Sequence, residues 1–328
     1  MKKTFIALLA IVSVAACNKA EVISVTEGEV IGFGEAFVDN STKTAADPSY
    51  VVNTKDISHV DVWGTVNGGE GAVLIFNGAD VTKSESAAYG SAWNCDVTQY
   101  WVAGADYNFV GIVDGEKEGV TSINFDHGMP VSINYVADGA TDLLCDTEAR
   151  ENALASGNDI VEFDFTHLLA KAKFVVENTT PTAANYQHSI TNIKITNAYA
   201  VGTYKVGTGW DVNTLTTTKA SGQSDDYNSF GDIPYTDTDM ECAAEKLLIP
   251  GLTNVTVEFT SSLYYVVDGN ATLINTTEYT GVNAKTATIT IDPAKSYQFK
   301  IQVGVGQPIS FTASALPAWT PFTPATNI

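Results

Sequence analysis

Residues 296–305 read SYQFKIQVGV, and their alternation decides the fold class. Tyr297, Phe299, Ile301, Val303 and Val305 fall on one side, with Gln298, Lys300 and Gln302 on the other. A period of two sends successive side chains to opposite faces of an extended chain, so this stretch predicts a strand with one buried and one wet face. Working outward, the same pattern recurs. Val60, Val62 and Val66 oppose Asp61 and Thr65; Val131, Ile133 and Tyr135 oppose Ser132 and Asn134; Val255, Val257 and Phe259 oppose Thr256 and Glu258. Ile309, Phe311, Ala313 and Ala315 share a face of residues 307–315, a strand expected to complete the chain's own second half. Short runs rich in Thr, Val, Ile and Tyr, punctuated by Gly, Asn and Asp, predict an all-β protein.

One segment breaks the pattern. Thr147 to Ser156 predicts a helix, with Asp146 or Thr147 as its cap, Glu148 and Glu151 at the positive end of its dipole, and Gly157 ending it. Beyond Gly157, Asn158 and Asp159 a new set of strands begins. Val161, Phe163 and Phe165 alternate with Glu162 and Asp164, then Ala170, Ala172, Phe174 and Val176 with Lys171, Lys173 and Glu177. A boundary near residue 158 follows, with β-sandwich domains at 17–158 and 159–328 in tandem.

Residues 1–16 form a signal peptide. Lys2 and Lys3 are its positive region, Phe5 to Val14 its apolar run, and Ala15 and Ala16 the small residues before Cys17. An ordinary signal-peptidase site would make Cys17 incidental. A cysteine directly after the small pair instead predicts lipidation at Cys17, with acyl chains that bury about 0.8 kcal/mol per methylene. No later stretch reaches the ~18 apolar residues of a membrane helix, so the expectation is a chain anchored to a membrane and not spanning it.

The formal net charge is −21, and loss of Lys2 and Lys3 makes it more negative. Phosphate repulsion then excludes nucleic acid as a partner. Cys95, Cys145 and Cys242 allow at most one internal disulfide, and without a Cys-x-x-Cys spacing or clustered histidines no zinc site is expected. No nucleophile has a catalytic context, so neither an enzyme nor a cofactor is expected. His167, in an alternating strand beside Leu168 and Leu169, reads as a packed, hydrogen-bonded residue. Asp225, Asp226, Asp232, Asp237, Asp239 and Glu241 offer oxygen ligands, but their spacing fits no EF-hand, and an exposed acidic loop is the reading taken; no metal is expected. Trp93, Tyr100, Trp101, Tyr107 and Phe109 could stack on sugars, yet in a sandwich such rings read as core.

The stretch FDFTHLLAKAKFVVEN, Phe163 to Asn178, resembles a pattern of the fimbrillin family of Bacteroidetes lipoproteins, the Mfa-like group. Thr42 to Thr44, the aromatic block from Trp93 to Phe109, Leu247 to Pro250, and Trp319 follow in matching order. The resemblance implies two tandem transthyretin-like β-sandwich domains in a fimbrial, type V pilus subunit or tip adhesin. It also implies an outer-membrane, surface-exposed precursor whose first strand is cut away by a protease, so that a neighbouring subunit can donate a strand in its place. Other fimbrial subunits, and host or bacterial surface ligands or glycans, are then the expected partners.

In this chain the first strand would be Val30 to Val38, with Ile31, Phe33 and Phe37 as plugs of the groove. The following loop, Asp39 to Asp56, carries Lys43 and Lys55 as candidate processing sites; an ordinary solvated loop is the alternative. Arg150 is the only arginine, and no arginine lies in that loop. A monomeric surface lipoprotein that binds glycans is the other function class, and it would keep Cys17 and its acyl anchor.

Overall fold

Leu144–Arg150 is a strand, which corrects the helix expected from Thr147. It pairs antiparallel with Tyr107–Val113 on one side and Asp164–His167 on the other. Asp146, Glu148 and Arg150 share one face, where Arg150 Nη1 lies 2.6 Å from Glu148 Oε2. The residues that suit a helix start are equally good at the wet face of a strand. Tyr107–Val113 pairs with it residue for residue and Asp164–His167 adds pairing at Leu144 and Cys145, which outweighs a weak local propensity. The computed structural model describes residues 29–34, 37–38, 57, 59–67, 71–82, 93–113, 119–153, 160–180, 185–236, 240–241 and 244–316. Among these the chain is all-β, with no α-helix.

A seven-stranded sheet runs in the order Phe37–Val38, Asp164–His167, Leu144–Arg150, Tyr107–Val113, His59–Val66, Val73–Thr82, Asn94–Cys95. A second sheet places Met240–Glu241, Ala170–Asn178, Ser296–Val303 and Ser310–Ala315 side by side, with Lys246–Leu248 also on Ala170–Asn178. A third is built from Ser229–Thr236, Tyr186–Ile195, Asn254–Val267 and Asn270–Tyr279, with Lys285–Thr288 beside Asn254–Val267. A fourth joins Gly209–Trp210, Val201–Lys205, Met129–Val136 and Val120–Asp126.

Hydrogen bonding crosses residue 158 in both directions. Ile160–Val161 and Asp164–His167 pair with N-terminal strands, whereas Met129–Val136 pairs antiparallel with Val201–Lys205. The cores follow the sheets. Val161, Phe163 and Phe165 pack with Ile31, Phe33, Phe76 and Phe109, while Ile133 and Tyr135 pack with Phe174, Phe230, Phe259 and Phe299.

The strand SYQFKIQV behaves as its alternation predicts, with Tyr297, Phe299, Ile301 and Val303 buried. Ser310–Ala315 lies antiparallel to it, and the Phe311 ring stacks on Phe174 and Phe299. His59–Val66 departs from expectation, because Asp61 and Thr65 are buried along with Val60 and Val62. Its second face is covered: Trp63 packs 5.9 Å from the Phe125 ring of the fourth sheet. Backbone and rings approach closely here, for a Cβ on Gly64 would sit 2.8 Å from Phe109.

Candidate functional site: the groove around the first strand

Residues 29–34 occupy a groove with partners on both edges. On one edge the Trp101 amide donates to Glu29 O (2.9 Å), the Ile31 amide to Gln99 O (2.9 Å), and the Trp93 amide to Phe33 O (3.3 Å). On the other edge Gly32–Phe33 runs parallel to Ile160–Val161, and the Gly34 amide donates to Val161 O at 2.9 Å. Farther on, Phe37–Val38 runs parallel to Asp164–Phe165.

Alternation places Ile31 and Phe33 inward, each 3% exposed. Phe33 meets three rings, with centroids at 5.5 Å (Phe76), 6.4 Å (Phe109) and 6.3 Å (Phe163). The two glycines differ in what they face. A Cβ on Gly32 would enter open space, whereas one on Gly34 would lie 2.9 Å from Ile160 Cγ2. The groove therefore accepts an apolar residue, a free position, a large ring and then a residue without a side chain.

The aromatic block forms the walls. Trp93, Trp101, Tyr107 and Phe109 are buried, and Trp101 packs edge-on against Tyr107 at 4.7 Å; only Tyr100 of the block is exposed. The Val102 amide donates to the Tyr107 hydroxyl at 2.7 Å. Four of the five rings are core, as read from the sequence; Tyr100, expected with them, instead lies at the surface.

The groove brings Ile31 and Phe33 together. Phe37 pairs through its backbone with Asp164. Cys17, Lys43, Lys55, Cys242, Asp237, Asp239 and Trp319 lie outside the described residues. Cys95 and Cys145 carry free thiols, and burial beside Asp146 pushes the Cys145 thiol up to about 12. His167 is buried, with Nδ1 2.5 Å from Asp142 Oδ2. In the acidic stretch, Asp225 pairs with Lys219 (2.7 Å), Asp232 accepts from the Asn192 amide (2.7 Å), and Glu241 pairs through its backbone with Val175. They do not converge.

The profile of the fimbrillin-like family matches residues 44–317, most of the chain. The chain belongs to the fimbrillin-like family. Among solved structures, this fimbrillin-like chain is similar to a fimbrial protein from Bacteroides vulgatus, at 13% identity and a TM-score of 0.62, covering 89% of this chain and 99% of that one. It also matches a candidate cell adhesion protein from Bacteroides uniformis at 16% identity (TM-score 0.45, 89% and 98% covered). A third match is the fimbrial anchor protein Mfa2 from Porphyromonas gingivalis at 12% identity (TM-score 0.35, 88% and 98% covered). No curated protein matches in sequence. The fold of the fimbrillin-like chain is thus that of a fimbrial protein, and its family supports a fimbrial or adhesive role at the cell surface.

Sequence reasoning missed the partners of the first strand. The alternation of Val161, Phe163 and Phe165 was visible, but it carried no sign that these residues would line an N-terminal groove. Partner choice between strands is non-local, and a period of two fixes the face without fixing the neighbour.

Proposed function

We propose that this fimbrillin-like protein is a fimbrial subunit, stalk or tip, that assembles by exchanging its first strand for one from a neighbour. The observation that carries the reading is the seat of Phe33. Its ring contacts Phe76, Phe109 and Phe163, and the strand bearing it is held by a two-residue parallel pairing on one edge and isolated bridges on the other. Leaving that seat would expose the rings and strip partners from Gln99 O, Val161 O and the Trp93 amide. Burying Ile31 and Phe33 contributes roughly 1.5–3 kcal/mol each, so an emptied groove favours any strand that supplies the same groups. In this account the precursor is a lipoprotein anchored at Cys17 in the outer membrane, and cleavage at Lys43 or Lys55 frees the segment.

Limited trypsin treatment of the purified precursor tests this. Loop tips are the preferred nicking sites, and the sequence reads 39–56 as a polar loop, so the first cuts are expected at Lys43 or Lys55 and the clipped protein forms oligomers that the intact chain does not. Clean clipping that leaves a stable monomer under all conditions contradicts strand exchange.

A further inference from the structure

A cleft of about 610 Å³ lies between the seven-stranded sheet and the hairpin of Val201–Lys205 and Gly209–Trp210. It is separate from the first-strand groove. Its floor is apolar, made by Cys145, Leu168 and Ile291. One wall is aromatic, with the rings of Tyr204 and Trp210 5.8 Å apart and 71° inclined. The Trp210 ring is locked in place: its Nε1 donates to Leu168 O at 2.7 Å, and its edge meets Tyr135 at 6.0 Å. Such a rigid ring loses little freedom on binding a ligand.

Two polar groups converge on this wall. Asp146 Oδ2 accepts from the Asp164 amide at 2.7 Å. Burial, with Glu148 and Asp164 nearby, raises its carboxyl to about 6. Burial also raises the Tyr204 hydroxyl to about 12, with Cys145 and Asp146 adding to the effect, so it remains a protonated donor at neutral pH. A desolvated carboxylate whose charged neighbours are acidic costs stability, and groups kept at such a cost cluster at binding sites. Around them the lining is mixed: Thr147, Thr166, Thr208 and Thr290 supply hydroxyls, Gly207 and Gly209 leave space, and Asp292 adds a second carboxylate.

We propose that this cleft binds a neutral saccharide, with a pyranose C–H face against the Trp210 ring and its hydroxyls bonded to Asp146 and the Tyr204 phenol. An aromatic plane suits the apolar face of a sugar ring, and a carboxylate accepts from vicinal hydroxyls without needing a counter-charge. The volume falls within the range of about 300–1,000 Å³ usual for small-molecule sites. A lysine or arginine side chain from a partner would meet the same carboxylate. Four threonine hydroxyls and the aromatic wall favour a polyhydroxylated ring, and Asp292 can accept from a sugar hydroxyl as Asp146 does. The inference does not rest on strand exchange, and serves a stalk or a tip subunit equally.

Saturation-transfer NMR on the full chain, with a panel of methyl glycosides of the common hexoses, N-acetylhexosamines and fucose, tests it. At least one glycoside receives magnetisation from the protein, and Asp146→Asn or Tyr204→Phe weakens its binding about tenfold, the size of one lost hydrogen bond. Thr208→Trp, made on an exposed turn at the rim, fills the cleft and abolishes binding without touching the core. No transfer from any glycoside at millimolar concentration overturns the proposal, as does binding that all three variants leave unchanged. Binding of N-acetyl-lysine amide that depends on Asp146, with no glycoside binding, replaces the saccharide with a basic side chain.

Discussion

The ring of Phe33 stacks on that of Phe163, with centroids 6.3 Å apart and planes inclined by 10°. The first residue belongs to the first strand of the chain, the second to the stretch whose pattern resembles the fimbrillin family. Their contact ties that pattern to the groove: Val161, Phe163 and Phe165 form part of the wall against which the first strand is held.

Truncating the ring therefore opens the groove. Phe33→Ala destabilises the precursor by about 3–5 kcal/mol in urea unfolding, the cost of removing a buried phenylalanine. The adjacent glycines separate side-chain space from backbone placement. Gly32→Ala, facing open space, changes stability by no more than ~1 kcal/mol, whereas Gly34→Ala is clearly destabilising because its Cβ meets Ile160 at 2.9 Å.

His188 makes the fold sensitive to acid. It is buried in Tyr186–Ile195, neither ring nitrogen has a hydrogen-bond partner, and burial lowers its pKa below the ordinary 6.5. The unfolded chain thus takes up the proton first as pH falls. Stability from the neutral ring is fully present above about 6.5 and is lost as pH drops toward the lower folded value. Thermal unfolding at pH 7.5 and 5.5 should show a smaller acid-induced drop in His188→Phe than in the parent chain. An equal drop would remove His188 as its source.

Asp146 acts with the opposite sign. Its folded value, about 6, exceeds the ordinary 3.8, so the folded state holds the proton longer, and stability falls as pH rises between those values. Asp146→Asn keeps an acceptor for the Asp164 amide and has no charge to desolvate. It should raise the melting temperature at pH 7.5 and leave it nearly unchanged at pH 4.

Deleting Thr320 to Ile328 tests whether the tail is needed for folding. Ser310–Ala315 already completes its own sheet, antiparallel to Ser296–Val303 with Phe311 against Phe174. The deletion should cost no more than ~2 kcal/mol. Loss of oligomers from the clipped, shortened protein would mark the tail as the donated strand; an unchanged yield would favour another donor or a tip position.

Much of the fold was legible, and the reasons differ by residue. Tyr297 to Val303 was plain because one face is buried and the other wet. Asp61 misled because a central strand covered on both sides can bury a carboxylate that has a partner, here His59 at 3.4 Å. Asp146, Thr147 and Glu148 misled because the residues that cap a helix also suit a strand. For the first strand, the inward positions Ile31 and Phe33 could be read, but their ring partners Phe76, Phe109 and Phe163 come from distant segments. The cleft was illegible for the same reason. Asp146, Tyr204 and Trp210 meet only because Met129–Val136 and Val201–Lys205 pair, bringing the hairpin beside the seven-stranded sheet.

Strand exchange is tested most directly by mass spectrometry of sheared fimbrial material, with cross-linking to map neighbouring strands. The account predicts a mature N-terminus after Lys43 or Lys55, no peptide containing Ile31 or Phe33, and cross-links from a neighbouring subunit to Val161–Phe165. Assembled subunits that still carry acylated Cys17 and an intact Ile31–Phe33 segment would contradict it.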